Sequence, residues 1–218
     1  ASIAPKDSIN EAIKKKCLEL NSVAKSFARS VPVLPEIVSF EDIKEEFGKT
    51  NELILGINKH TLYPVKYNYK RNRINLITAS DSSSFFSLIR PIILELLYLK
   101  DSVVFINADD YDLDPDCSKY IEYYNNNFDE IFTKIKNCVD ENYNAFVNNG
   151  YQRDIFNNMQ KLTIVINGVD TFKGRLNPEN QKEFKSVFEK VENLEFITFI
   201  FFDNVDSVKK YELESWYK

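Results

Sequence analysis

The sequence contains a single histidine, three cysteines and five glycines in 218 residues. His60 alone cannot supply the grouped ligands of a histidine-based zinc site, and a serine–histidine–aspartate triad would depend on it entirely. Cys17, Cys117 and Cys138 are odd in number and lack metal-ligand spacing, which is typical of reduced cysteines in the cytosol rather than of a disulfide framework. These shortages argue against zinc enzymes, serine hydrolases and small disulfide-stabilised proteins.

The chain also lacks an excess of positive charge and a long apolar run. Its formal net charge is −5, and its lysines and arginines are scattered, so we expect no nucleic-acid partner. The longest strongly apolar stretch, Phe196 to Phe202, is far shorter than the roughly 20 residues of a membrane-spanning helix. The chain does not begin with methionine and ends in what resembles the middle of an element, so we expect a fragment of a larger protein.

The amino-acid composition is that of a folded protein, with 44% apolar and 14% aromatic residues. Residues 1–50 are predicted to form a helical lead-in and a docking linker. A capping pair, Ser8 and Glu11, precedes helical spacing that continues to Arg29. The prolines of the stretch 31–35 require an extended backbone, and residues 39–47 form a short helix that Gly48 ends.

Residues 51–218 are predicted to form an α/β domain. Two short runs, 53–57 and 65–69, are typical of an edge hairpin. Four apolar runs then alternate with helical segments, which predicts a mostly parallel sheet that is covered by helices on both faces. The four predicted core strands are 74–79, 103–106, 162–166 and 196–202. The predicted helical segments are 85–100, about 117–148 and one that begins at Asn177-Pro178.

The segment after the first core strand occupies the place of a Walker A loop. That loop, G-x-x-x-x-G-K-[ST], needs glycines so that backbone amides surround phosphate, and a lysine that pairs with its charge. Here Ser80 and Phe85 stand at the glycine positions, Phe86 stands at the lysine position, and Asp81 adds a negative charge. Only Ser87 matches. The vestigial loop comprises Ser80, Asp81, Ser82, Ser83, Ser84, Phe85, Phe86 and Ser87.

The third core strand fails as a Walker B strand, which ends in a magnesium-binding aspartate. Asn167 and Gly168 follow its apolar run, and an amide binds magnesium more weakly than a carboxylate. Asp170 fits only if the register shifts by three residues. The paired failures predict a P-loop-type fold that has lost its nucleotide chemistry, or alternatively an ordinary strand–loop–helix unit that never bound nucleotide.

Over most of its length the chain resembles the third, degenerate ATPase domain of the type VII secretion ATPases, in the EssC/YukBA branch of the FtsK/SpoIIIE-like proteins. The resemblance rests on the order of elements and on four segments, with the final strand ending in Asp203-Asn204. In intact members, glycine, glycine, lysine and aspartate occupy the positions of Ser80, Phe85, Phe86 and Asn167. The four segments are 33–36, 55–57, 62–65 and 74–80.

The resemblance implies a P-loop NTPase-like, RecA/FtsK-like fold and a non-catalytic role for this domain. It implies no bound cofactor here, with ATP and Mg²⁺ in neighbouring domains of the parent protein. It also implies preceding ATPase domains in the same chain, a homo-hexamer, and small secreted substrates of the WXG100 type. The expected location is cytoplasmic, on the inner face of the cell membrane through the full-length protein.

Two other functional hypotheses remain open at this point. The first is an ATPase whose site is in shifted register, using Ser87 and Asp170, or is completed by a neighbouring subunit. The second is a plain scaffold without a ligand. Three sets of residues bear on these hypotheses. Acidic residues after the core strands suit either a metal site or helix capping. Aromatic residues suit either a groove for a partner or the core, and we assign no role to a set of arginines. The sets are Asp109, Asp110, Asp112, Asp114, Asp116, Asp170 and Asp203; Tyr120, Tyr123, Tyr124, Phe128, Phe132, Tyr143 and Phe146; and Arg71, Arg73, Arg153 and Arg175.

Overall fold

The computed structural model describes residues 6–23, 39–47 and 50–206. The chain forms two compact units, Ala1–Glu36 and Ile37–Lys218. In the first unit, helix α1 spans Lys6–Val23, and its apolar residues Ile13, Leu18 and Leu20 are exposed. The predicted continuation of this helix to Arg29, the extended proline segment and Gly48 lie outside the described residues.

The second unit contains the other helices and all the strands of the described residues. Its helices are α2 (Phe40–Phe47), α3 (Ser82–Tyr98), α4 (Pro115–Ser118), α5 (Phe128–Asn148), α6 (Val169–Gly174) and α7 (Pro178–Val191), with a 3-10 turn at Arg153–Phe156. Its strands are β1 (Leu53–Ile57), β2 (Pro64–Tyr67), β3 (Ile74–Ala79), β4 (Ser102–Asn107), β5 (Glu122–Tyr124), β6 (Leu162–Asn167) and β7 (Ile197–Asn204).

Five of the strands form a wholly parallel sheet in the order β3-β7-β6-β4-β5. The predicted α/β class and the four core strands are therefore confirmed. Strand β5 was not predicted, because its segment was assigned to a helix. Its three residues pair with Val104, Phe105 and Ile106 of β4, so tertiary pairing decides the conformation of a segment too short to show a period of its own.

The predicted hairpin forms, but it is not an edge of the main sheet. Strands β1 and β2 pair antiparallel as a separate two-stranded sheet. The chain leaves β2 at Tyr67, and Tyr69 turns into the core, where it is fully buried. Its hydroxyl donates to the Asp101 carboxylate at 2.6 Å. Burial is the main cause that raises the pKa of Tyr69, and the Asp101 carboxylate raises it further. Tyr69 lies in the chain between the hairpin and β3 and holds this segment against the core.

Helix α3 begins three residues earlier than predicted, at Ser82 rather than Phe85. Only Ser80 and Asp81 separate it from β3. A phosphate-binding loop uses glycine to adopt conformations that other residues resist. Residues 80–85 contain no glycine, and residues 82–84 form the first turn of the helix. The connection between β3 and α3 is therefore only two residues long.

Helices cover both faces of the sheet and form two hydrophobic cores. One core includes Phe132 from α5 and Phe184 from α7, whose rings stack with centroids 5.6 Å apart. The other includes Ile89 from α3 and Phe105 from β4. Phe128, Phe132 and Phe146 are buried in the first core, so the predicted aromatic set does not form one exposed groove. In the described ranges, no helix is both long enough and apolar enough to cross a membrane.

Helix α2 is joined to α3 by an ion pair that is almost fully buried. Ser39 and Asp42 cap α2 reciprocally, since the Asp42 amide donates to the Ser39 hydroxyl and the Ser39 amide donates to the Asp42 carboxylate. Lys44 then contacts Glu95 at 2.5 Å, with exposed side-chain fractions of 10% and 1%. Oε1 of Glu95 accepts no hydrogen bond from the described residues. The Glu95 carboxylate therefore depends on Lys44 for compensation of its charge.

Replacing Lys44 with methionine is expected to lower the free energy of unfolding by about 3 kcal/mol, because Glu95 would keep a buried carboxylate without its cation. Urea unfolding at neutral pH measures the change. The double variant K44M/E95L should recover most of the loss, since it removes both charges. K134M, in the exposed pair of Lys134 with Glu130, is the control and should unfold like the parent protein. A loss in the double variant equal to that of K44M would contradict this account.

Candidate functional site

The carboxyl ends of the parallel strands meet at one edge of the sheet, where ligands bind in open α/β folds. Strand β7 lies between β3 and β6, so residues after these three strands are brought together. The predicted Walker A segment follows β3, the predicted Walker B position ends β6, and Asp203 lies near the end of β7. We call this set of residues the carboxyl edge.

The predicted phosphate loop is mostly part of helix α3. Ser80 and Asp81 are exposed between β3 and α3, and the Ser80 carbonyl accepts a hydrogen bond from Asn204 Nδ2 at 3.1 Å. Residues 82–85 are already helical, and Ser87 is exposed on the same helix. The stretch 80–85 that would wrap around phosphate in a Walker A loop is therefore mostly helix.

Phe86, at the position of the Walker lysine, packs against another aromatic ring. Its ring centroid lies 5.2 Å from that of Tyr111, which in turn meets Phe105 edge-on at 6.4 Å. Phe86 and Tyr111 are both half-buried, and burial raises the pKa of the Tyr111 hydroxyl. Aromatic packing therefore occupies this position.

Asn167, at the position of the Walker B aspartate, is held by a second asparagine. The side chain is fully buried, and its Nδ2 donates to Asn107 Oδ1 at 2.9 Å. Asn107 Nδ2 donates to the Tyr111 carbonyl at 2.7 Å and to the Tyr123 hydroxyl at 2.9 Å. Oδ1 of Asn167 accepts no hydrogen bond from the described part of the chain. This amide pair joins the ends of β4 and β6.

Gly168 directly precedes α6 in a conformation that only glycine adopts readily. Its φ is +76°, and a Cβ built there would lie 2.3 Å from Asp109 Cγ. The Asp109 carboxylate therefore lies directly against the glycine backbone. Asp170 is in the first turn of α6, and its amide donates to Asp203 Oδ2 at 2.8 Å. Asp109, Asp170 and Asp203 are thus brought together at the carboxyl edge, as the sequence suggested.

The Asp203 carboxylate is buried and accepts two backbone amides, from Asp170 and from Asn204. Burial raises its pKa above the ordinary value of 3.8, and the charges of Asp109 and Asp170 add to the rise, while the two amides oppose it. In the ranges 6–23, 39–47 and 50–206, no three histidine, cysteine or acidic side chains are arranged to hold a metal ion. Asp203 instead ties the end of β7 to α6.

No family model and no curated protein sequence matches the chain. Solved structures do match its fold. EssC of Geobacillus thermodenitrificans, ATPases 2 and 3, superposes with a TM-score of 0.66 at 15% identity, over 96% of this chain and 40% of that one. The cytoplasmic domain of EssC gives a TM-score of 0.63 at 14% identity, over 96% and 43%.

A third structure is Thermomonospora curvata EccC, ATPases 2 and 3, in complex with a signal sequence peptide. Its TM-score is 0.59 at 13% identity, over 98% of this chain and 40% of that one. The chain has the fold of these ATPase domains. It spans less than half the length of each of the three structures. Because the sequence identities are low, the similarity shows the fold alone.

The carboxyl edge thus combines three carboxyl groups, those of Asp109, Asp170 and Asp203, with the apolar ring of Phe86. Sequence reasoning identified the positions of Phe86 and Asn167 but missed their partners, Tyr111 and Asn107. The one available signal was Asn107 itself, a polar residue at the end of an apolar run.

The raised pKa of Asp203 has a consequence for stability. The folded chain keeps that proton to higher pH than the unfolded chain, so the ionised group costs stability near neutral pH, and the cost is lost as pH falls toward 3.8. Replacing Asp109 with asparagine should therefore stabilise the fold near neutral pH by less than about 1 kcal/mol, because it removes one neighbouring charge.

Denaturant unfolding of D109N over a range of pH tests this expectation. Its advantage over the parent protein should shrink as pH falls through the carboxylate range, and carboxyl-carbon NMR should show a lower pKa for Asp203. D112N, an exposed neighbour in the same loop, is the matched control. An advantage of constant size at all pH values would show that packing, rather than charge, is responsible.

Proposed function

We propose that the chain is a non-catalytic, ATPase-fold module of a type VII secretion motor. The observation that carries the proposal is the double replacement at the carboxyl edge. Phe86 packs on Tyr111 where a lysine would hold phosphate, and Asn167 bonds Asn107 where an aspartate would hold magnesium. The fold of EssC and EccC ATPase domains supports the assignment to this class of motor.

In this proposal the chain is the third, degenerate ATPase domain of a larger protein. The neighbours of similar fold contain ATPases 2 and 3 and extend well beyond this chain, which supports tandem domains. Preceding domains of the same polypeptide would bind ATP and Mg²⁺, and the whole protein would assemble as a hexamer. A membrane anchor elsewhere in that protein would hold the module on the cytoplasmic face of the cell membrane.

The proposed task of the module is recognition of secreted substrates and control of the neighbouring active domains. The EccC structure of similar fold was solved with a signal sequence peptide, which supports a peptide-binding role. Small WXG100-type proteins are the proposed substrates. Because hydrolysis would occur elsewhere, the free energy of binding could act on assembly and on motor activity.

Titration of the purified chain with magnesium–ATP by calorimetry tests the absence of nucleotide binding. We expect no saturable heat up to millimolar nucleotide, because the site lacks both the lysine and a glycine loop. A protein with intact Walker motifs serves as the positive control. Saturable binding at micromolar concentration would instead favour the ATPase hypothesis and make Ser87 and Asp170 the next residues to replace.

Restoring the aspartate alone should harm the fold without restoring binding. In N167D a buried carboxylate would face Asn107 Oδ1, an acceptor that the Tyr111 amide already uses at 2.9 Å. We expect a loss of about 3 kcal/mol in the free energy of unfolding and no measurable affinity for magnesium–ATP. N167A, which removes the amide without adding charge, should lose less. An N167D protein that is fully stable and binds nucleotide would contradict the proposed function.

A further inference from the structure

A small polar cavity lies at the opposite edge of the sheet, which we call the amino edge because the strands begin there. Its volume is about 90 Å³, and it lies between the starts of β6 and β7 and the turn that precedes β3. The residues compared with the Walker motifs take no part in lining it. We call this cavity the strand-start pocket. Its lining comprises Lys70, Arg73, Asp101, Lys161, Leu162, Thr163, Glu195 and Thr198.

Two neighbouring threonines form the inner wall of the pocket. Thr163 of β6 pairs with Thr198 of β7 in the parallel register. The Thr163 hydroxyl donates to Asp101 at 2.9 Å, so its donor is satisfied. Thr198 is only 4% exposed, yet within the ranges that the structure describes its hydroxyl forms no hydrogen bond. Because a buried hydroxyl without a partner costs stability, the Thr198 hydroxyl is a group that a ligand in the pocket would satisfy.

Two cations converge on one neutral oxygen at the mouth of the pocket. Arg73 Nη1 and Lys161 Nζ each donate to the Glu195 carbonyl at 3.0 Å. A carbonyl oxygen has no net charge, so it leaves the repulsion between the two cations uncompensated. Burial is the main cause that lowers the pKa of Arg73, and the charge of Glu195 opposes it. The arginine has therefore lost part of its hydration, which an anion in the pocket would replace.

The two carboxylates of the pocket each have a cation of their own. Asp101 Oδ1 contacts Lys70 Nζ at 3.2 Å, and the Glu195 carboxylate contacts Arg153 at 2.9 Å. Among the ion pairs of the described chain, none includes either of the two cations that share the Glu195 carbonyl. The pocket therefore has an excess of two positive charges, which a doubly charged anion matches.

A phosphate-type oxyanion fits the pocket in size and in hydrogen bonding. The volume of about 90 Å³ is roughly three times the share of one water molecule in the liquid, so the pocket admits an anion of a few atoms but no nucleotide. Every oxygen of such an anion accepts hydrogen bonds. It can therefore take the Thr198 hydroxyl on one side and the arginine and lysine donors on the other, and both of these side chains bind phosphate in proteins.

We propose that the strand-start pocket binds a small phosphate-type oxyanion, which accepts from the Thr198 hydroxyl and compensates the charges of Arg73 and Lys161. The bound anion would join the starts of β6 and β7 to the turn before β3, and so stabilise the amino edge. The proposal is independent of the proposed function, because it uses no residue of the carboxyl edge. Water alone in the pocket is the alternative, since water also bonds a threonine hydroxyl.

Thermal unfolding in phosphate is the first test, since an anion that binds only the folded chain raises Tm. Sodium phosphate is compared with sodium chloride of equal ionic strength, which controls for the screening of surface charges. We expect a saturable rise of Tm in phosphate alone, with changes in the amide NMR shifts of Thr163 and Thr198 over the same range of concentration. Equal Tm values in the two salts, or unchanged shifts at these threonines, would overturn the proposal.

Two variants identify the groups that bind the anion. T198V keeps the shape of the side chain and removes the hydroxyl, and K161Q removes one exposed charge. Each should weaken phosphate binding by about tenfold, the scale of one hydrogen bond to a charged group. The matched controls are T78V, at an exposed threonine of β3, and K59Q, at an exposed lysine of the β1–β2 loop, and both should bind like the parent protein. Parent-like affinity in both T198V and K161Q would overturn the proposal.

The amino acid O-phosphoserine distinguishes two sources of the same anionic group. Competition with phosphate at similar concentration would identify the phosphate group of a modified side chain as a ligand. Failure to compete would identify free phosphate, because the pocket is too small for the rest of the molecule. Either result agrees with an oxyanion site, whereas the salt comparison and the two variants decide whether the site exists.

Discussion

The burial of β6 and β7 on both faces is the constraint on which the rest of the fold depends. Both strands are buried along almost their whole length, and helices must cover each face for the sheet to be stable. Parallel pairing in the order β3-β7-β6-β4 then gathers every strand end at one edge and every strand start at the other. Polar residues collect at these two edges because the interior excludes them.

At the carboxyl edge, the same constraint acts on polar side chains. A buried polar group at the end of β6 costs stability unless it finds a hydrogen-bond partner within the protein. Asn107 and Asn167 stand opposite each other in the register of β4 and β6, so the Asn167 amide can donate to the Asn107 carbonyl oxygen. Phe86 and Tyr111 add apolar contacts nearby. These contacts stabilise the carboxyl edge at the two positions that the sequence analysis compared with the Walker motifs.

Most of this fold could be predicted from the sequence, but at the candidate site only Phe86 and Asn167 could be identified, and not the residues that they contact. Apolar runs of strand length predicted the four core strands, and Asn177-Pro178 correctly predicted the start of α7, where Asn177 accepts from the Glu179 and Asn180 amides. Strand β5 was too short to carry a period. The pairing of Asn107 with Asn167 follows from strand register, which depends on long-range packing and is not written in either local segment.

The two edges of the sheet also differ in charge. Asp109, Asp170 and Asp203 concentrate negative charge at the carboxyl edge, while Arg71, Arg73 and Arg153 lie at the amino edge. Ion pairs such as that of Arg153 with Glu195 balance part of the positive charge at the strand starts. The buried strands separate the two edges, so contacts at one edge, such as that of Phe86 with Tyr111, involve none of the residues at the other. The same sheet therefore holds two chemically different surfaces, one at each edge.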